Sequence, residues 1–534
     1  MASGTQLFQP SKVAAVLILG FVLTLFVLSS GKSTTSDESP HIAAGLSYVT
    51  TGKVILNTQH PPLLKLLAGL ALRAGGVQWP DTAETRALET AHEPRLEWDL
   101  GKKIIGDNGG EHVMFWGRLP MILLAGLYAG AVFLLARDLL GPVAALCGLF
   151  LFVTDPLVLG HAYLVTTDTG FAGFTVLFLF TYWRYLQRGG RKLLVLSGMT
   201  LGLAMGCKFS GAALVPIAMV LYLVSLRRDG GDGRRGAAQH SIAIGGLFAV
   251  AFVVLYCLYL LPPDPMAYAT GYSQVNADHI RDYRFYLAGE FGPHRSSYLA
   301  IAYLVKQPVA SLLLAAIGLV GLMRAKQVSF PAKVLLLLPP LIFFAGYAEK
   351  AANIGVRYMI PVSVFLLMVG GFGLAGLLQS AVAWKKGTGV VLGLWAALAA
   401  VGVGTDHLSY FNELACASTP GKIGWGGGSS CGLAWLDDSN VDWGQGLPQV
   451  RKWIAENANG SPVKLAYFGS VSPSAFGVNV PVLEYTDLAM KQEPGLYIVS
   501  AHFVLRARPL VGGEWLRGEP EAVIGHSHYV YEVR

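Results

Sequence analysis

The chain is 534 residues long, just over half hydrophobic (53%) and only 14% charged. That balance excludes one ordinary soluble core and fits a chain that crosses a membrane many times. The net charge of +7 sits largely on short connections between apolar runs, where it sets topology, and no nucleic-acid partner is expected.

The first apolar run, residues 13–30, is long enough for a span. A cleaved signal peptide is the competing reading, but the run is long for one, and the carboxylates just after it need an anchor. A first outer loop, 31–115, follows. It opens with Asp37-Glu38, where Ser36 or Asp37 caps a helix with Pro40 near its start. A capped helix start is rigid and can aim a carboxylate, and Asp37 as general base would take a proton from an acceptor hydroxyl. An amphipathic segment, 42–49, leads to His60-Pro61-Pro62, a helix start whose free N–H groups suit a phosphate. Lys65, one turn on, adds charge to that site or snorkels from an interfacial helix.

Further apolar runs lie near 116–136, 143–162, 168–186, 193–207, 209–226, 240–261, 307–323, 333–348, 357–380 and 388–404, about eleven spans in all. With that count, Lys12 and four basic connections fall on one side: Arg184/Arg188/Arg191/Lys192, Arg227/Arg228/Arg234/Arg235, Arg324/Lys326/Lys333 and Lys385/Lys386. The positive-inside trend makes that side cytoplasmic and puts the long loops and the region after Thr405 outside. Asp168 heads a span on the outer side, after the loop that begins at His161; a carboxylate there also stabilises a helix N-terminus. Asp155, within a run beside Pro156, is costly unless paired. Arg118, Lys208, Lys306 and Arg357 stand near outer span ends, against the trend. Together they suggest an anion site for a phosphate leaving group, although any one alone could be a snorkelling anchor. Gln307-Pro308 after Lys306 predicts an irregular helix there.

Cys147, Cys207 and Cys257 lie in apolar runs and read as packing residues; Cys416 and Cys431 could pair if the C-terminal region is outside. That region alternates short apolar runs with turns. Strands are predicted over 463–468 and 495–500 and a helix over 448–456, a small α/β domain over 405–534 beside a transmembrane part over 1–404. Two polar and aromatic stretches precede them, 408–413 with Asn412 and Glu413, and 436–445 with Asp438, Asn440, Asp442 and Trp443. They could bind sugar or acceptor hydroxyls, or form a turn network against the membrane part.

Asp37-Glu38 after the first span, HPPL at His60–Leu63, TTD at Thr166–Asp168 and Gly355–Pro361 together resemble polyprenyl-phosphate-dependent glycosyltransferases of the GT-C fold, the group with protein O-mannosyltransferases and aminoarabinose transferases. The resemblance covers most of the chain and lies in the order and membrane placement of short motifs. It implies an α-helical polytopic membrane protein of GT-C fold that moves a hexosyl or pentosyl group, with inversion, from a polyprenyl- or dolichyl-phosphate carrier to a hydroxyl-bearing acceptor. It maps the acidic residues onto Asp37, Glu38 and Asp168. In aminoarabinose transferases a lysine precedes the Pro-Pro pair, where this chain has His60. A divalent metal could assist, but no ligand cluster is evident and no cofactor is assigned. The expected setting is the bacterial inner membrane, N-terminus cytoplasmic, among membrane lipids. Two other readings stay open: a secondary transporter with Asp155, Asp168, Lys306 and Arg357 along its path, and a non-enzymatic factor for envelope polysaccharide assembly.

Overall fold

The computed structural model describes residues 9–88, 95–226, 237–277, 283–417 and 429–534. The basic connection Arg227/Arg228/Arg234/Arg235 lies outside the described residues.

Helices dominate. The first are α1 (Pro10–Ser30), α2 (Glu38–Thr51), α3 (Leu63–Ala74), α4 (Ala83–Arg86), α5 (Leu96–Asn108) and α6 (Gly110–Leu140). Among the described residues, five helices can cross a membrane by length and composition: Pro10–Ser30, Gly110–Leu140, Phe209–Leu226, Phe330–Lys350 and Val356–Leu378; a bent pair makes up to six. The other predicted spans also coincide with helices, among them Thr167–Arg188, Arg191–Cys207 and Ala383–Gly402, but these fall short of that criterion. The run 143–162 is broken into Pro142–Val153 and Pro156–His161. Asp155 sits at that break, where its Oδ1 accepts from Val158 N at 3.1 Å, so the buried carboxylate is used as a helix cap.

The irregularity at Gln307-Pro308 is a sharp bend. Tyr298–Lys306 and Val309–Arg324 meet at 112°. Proline removes a backbone donor there, and Asn412 braces the break: its Nδ2 donates to Leu304 O (2.6 Å) and Gln307 O (2.7 Å).

In the first outer loop, α2 and α3 cross at Gly45 and Gly69. Each glycine's missing side chain is replaced by the other helix's backbone, the close approach that small residues permit.

A hairpin, β1 (Phe285–Leu287) and β2 (Glu290–Gly292), lies between the membrane helices and the C-terminal region. The C-terminal sheet has β3 (Val463–Ala466), β4 (Val482–Leu483), β5 (Gly495–Ser500), β6 (Ala522–Ile524) and β7 (His528–Val533) in the order β4-β3-β5-β7-β6. β3 runs parallel to β4 and β5, and β7 runs antiparallel to β5 and β6. The predicted strand 463–468 stops at Ala466, and the predicted helix is Leu447–Asn457. The sheet does not stand apart: Leu447, Val450, Leu465, Phe476, Ile498 and Val530 share one hydrophobic core with Ile42, Leu46, Leu72, Leu100 and Val113 of the first outer loop and the start of α6. Cys431 is disulfide-bonded, and the Cys416 side chain lies outside the described residues.

Candidate active site

The site gathers where span ends, first outer loop and the stretch before Leu447 meet. Asp37 lies at the start of α2 yet makes no side-chain cap bond; its Oδ2 instead accepts from Arg357 Nη1 at 2.5 Å. Arg357 stands in a short 3₁₀ turn, Val356–Met359, just before its span. Its guanidinium packs over Trp443 (4.3 Å) and Tyr358 (5.5 Å). Its Nε is buried and has no partner.

Asp168 heads Thr167–Arg188 and accepts from Lys208 Nζ at 2.6 Å. Lys208 faces the rings of Tyr358 (4.7 Å) and Tyr347 (5.2 Å). Arg357 is close enough to interact electrostatically with Asp168 as well. Two cations and two carboxylates from four distant stretches therefore share one aromatic-lined site. Asp37 is the more open carboxylate, its side chain 29% exposed against 5% for Asp168.

Two imidazoles flank this group. His41, one turn beyond Asp37, donates through Nδ1 to Val165 O (2.7 Å), and its ring meets His60 edge-on at 5.4 Å. Burial, with the charge of Lys65, lowers His41 to about 4. Burial, with His41 beside it, draws His60 well below the usual histidine range too. Both rings are neutral at pH 7, so His60 reaches the site as a polar group rather than a cation. Sequence reasoning missed His41 as a site residue, although its spacing from Asp37 puts both on one helix face. His161 approaches Trp443 at 6.4 Å and leaves Nε2 buried without a partner.

Other expected site residues have different employment. Glu38 is fully buried and accepts from Arg118 Nε (2.8 Å) and Nη2 (2.6 Å), Thr35 N and Oγ1, and Val165 N. Burial opposes its charge, but Arg118 and these donors outweigh that and hold it below the usual carboxylate range. Arg118 gives its remaining donors to the carbonyls of Ser29, Lys32 and Ser33. The pair pins the exit of α1 to α2 and α6, and neither member faces a ligand. Lys65 donates to Asn57 O, Asn57 Oδ1 and His60 O, and burial lowers its affinity for a proton. Lys306 donates to Leu408 O and Asn440 O. Both lysines are bound to backbone carbonyls.

The two polar stretches of the C-terminal region act as the turn network. Besides the bracing by Asn412, Glu413 accepts from Trp395 Nε1 (2.9 Å). Asn440 accepts from Val356 N (2.9 Å) and donates to Tyr298 Oη and Asp437 O, which positions the Arg357 turn. Asp438 accepts from Tyr283 Oη (3.1 Å). Asp442 accepts from Gly444 N, and burial raises it to about 7. Trp443 alone among these six enters the site. Among the described residues no group of three or more His, Cys, Asp or Glu is placed to hold a metal ion.

Residues 99–263 match the family described as dolichyl-phosphate-mannose-protein mannosyltransferase. No curated protein matches the chain. Among solved structures, ArnT from Cupriavidus metallidurans in the apo state is 13% identical, with 97% of each chain covered and a TM-score of 0.51. AglB, an archaeal oligosaccharyltransferase from Archaeoglobus fulgidus, is 12% identical over 94% of this chain and 72% of its own, at 0.48. The Pmt1-Pmt2 protein O-mannosyltransferase of S. cerevisiae is 18% identical over 51% and 35%, at 0.37. The chain is a polytopic membrane protein of the GT-C fold, with the pattern of dolichyl-phosphate-mannose-protein mannosyltransferases across residues 99–263.

Proposed function

We propose that the chain is an integral-membrane inverting glycosyltransferase that moves a sugar from a polyprenyl-phosphate carrier to an acceptor hydroxyl. The observation that carries this is the meeting of Asp37 with Arg357 beside Asp168 and Lys208. Asp37 takes the proton of the acceptor hydroxyl as its oxygen bonds to the sugar's anomeric carbon. The bond from that carbon to the carrier phosphate breaks, and the phosphate leaves with the electron pair. Arg357 and Lys208 hold the departing anion, and the unpartnered Nε of Arg357 is the donor free to receive it. Asp168 orients Lys208. The carrier phosphate is a good leaving group, so no strong acid is needed.

Orientation follows from the helices. Asp168 and the Arg184/Arg188 cluster occupy opposite ends of Thr167–Arg188, and Arg357 stands in the first turn of Val356–Leu378 while Lys385/Lys386 lie beyond its other end. This supports a site on the outer face, an N-terminus in the cytoplasm, and residues 405–534 outside.

The test is transfer of radiolabelled sugar from polyprenyl-phosphate donors in membranes. Asp37→Asn is expected to lower turnover about 10²–10⁴-fold with normal insertion. Unchanged turnover in that variant would overturn the proposal.

A further inference from the structure

Away from the site, a cleft of about 800 Å³ opens between the hairpin and the C-terminal region, lined by Arg284, Phe291, Tyr485, His502, Phe503 and Arg506. Its size suits a ligand rather than a few waters. The walls are flat groups held in place. Tyr485 and Phe503 lie 6.1 Å apart, and the His502 ring stacks on Phe468 at 3.8 Å. Asp437 fixes both His502 (2.9 Å) and Arg506 Nε (3.0 Å). The Arg506 guanidinium lies over Phe291 (5.1 Å) and Tyr283 (4.9 Å). Glu290 completes the rim, paired with Arg295.

We propose that this cleft binds a short stretch of oligosaccharide belonging to the acceptor, an assignment that rests on the transferase reading above. Aromatic faces match the C–H faces of sugar rings. Arg284 donates through Nη2 to Phe291 O (2.8 Å), and Arg506 through Nε to Asp437 and through Nη2 to Tyr283 Oη (3.0 Å); their other guanidinium N–H groups and the Glu290 carboxylate match neighbouring ring hydroxyls, which both donate and accept. Side chains already locked by Asp437 and by stacking lose little freedom on binding. On the C-terminal wall no strand edge is open to a peptide: β5, which leads into His502 and Phe503, is paired on both sides. The cleft also connects to the site. The strip 437–443 begins at the carboxylate that holds His502 and Arg506, passes Asn440 under the Arg357 turn, and ends at Trp443 against Arg357.

The test uses the full chain in detergent with no donor present, titrated with short soluble oligosaccharides, neutral and uronic-acid-containing, and with short acidic peptides. At least one oligosaccharide is expected to bind. Arg284→Ala and Tyr485→Ala should each weaken that binding about tenfold. No oligosaccharide binding, binding indifferent to both cleft variants, or binding of peptides alone would overturn the assignment. Saccharide binding in the cleft with no transfer from any lipid-linked donor would count against the transferase reading and leave the cleft as a carbohydrate site.

Discussion

Asp37 and Arg357 are 320 residues apart in sequence and 2.5 Å apart in the fold. Each holds the other ready: the guanidinium keeps the carboxylate aimed into the site, and the carboxylate occupies one edge of the guanidinium while Nε stays open. In the proposed transfer, an arriving phosphate would compete for Arg357 and so release Asp37 for the acceptor proton.

Arg357→Lys keeps the charge but loses the planar fork that pairs with Asp37 and phosphate together. Its kcat/KM for the lipid-linked donor should fall about 10- to 100-fold, mostly through transition-state binding. Trp443→Ala should fall less, roughly 5- to 30-fold, because it removes only the ring under the cation. Steady-state kinetics on both variants check the order; a larger loss in Trp443→Ala would put the ring, not the fork, at the centre.

Glu38→Ala should cost about 3–5 kcal/mol of stability, because it leaves Arg118 buried and unpaired. The double variant Glu38→Leu, Arg118→Met should regain only part of that loss: it removes both buried charges but leaves the carbonyls of Ser29, Lys32 and Ser33 and the N–H groups of Thr35 and Val165 without these partners. Thermal unfolding in detergent reads both. A stable Glu38→Gln protein with turnover abolished would instead give Glu38 a direct part in the chemistry.

At the crossing of α2 and α3, Gly45→Ala drives a methyl group into the Lys65 carbonyl. Overpacking of this kind costs roughly 1–3 kcal/mol. It should also push α3 outward with His60, so activity should fall further than stability alone explains. Activity measured well below the unfolding temperature separates the two.

His502 gives stability a pH dependence. Burial lowers its affinity for a proton, but Asp437 outweighs burial and raises it above the usual histidine value. A raised folded-state pKa contributes stability that is full below the unfolded value of 6.5 and lost as pH rises through the folded one. Asp437 itself is held low, burial notwithstanding, by His502 and Arg506, so it stays ionised over that range. The gap in melting temperature between wild type and His502→Gln should therefore shrink from pH 6 to pH 9. A gap that is constant or grows would contradict the ion pair.

Much of the site was legible because it breaks a trend. Lys208 and Arg357 are cations at the outer ends of spans, and Asp37 and Asp168 are carboxylates at span margins, so composition and topology pick them out together. Glu38 and Arg118 carry the same surface signal. What separates them is burial and a set of backbone donors and carbonyls, which no spacing reveals. Lys65 and Lys306 carry that signal as well, and their binding to backbone carbonyls is equally invisible in spacing. The helices were legible from apolar length. The shared core between the first outer loop and the C-terminal sheet was not, because its two halves lie more than 300 residues apart along the sequence.

That shared core has a consequence for how the protein is made. Ile42, Leu46 and Leu72 have no complete apolar surroundings until Leu447, Val450 and Leu465 arrive, and Arg357 has no ring beneath it until Trp443 does. During synthesis the membrane helices can insert one after another while the first outer loop waits half-assembled. The last part of the chain to emerge then closes the earliest, and no partial product carries a finished active site.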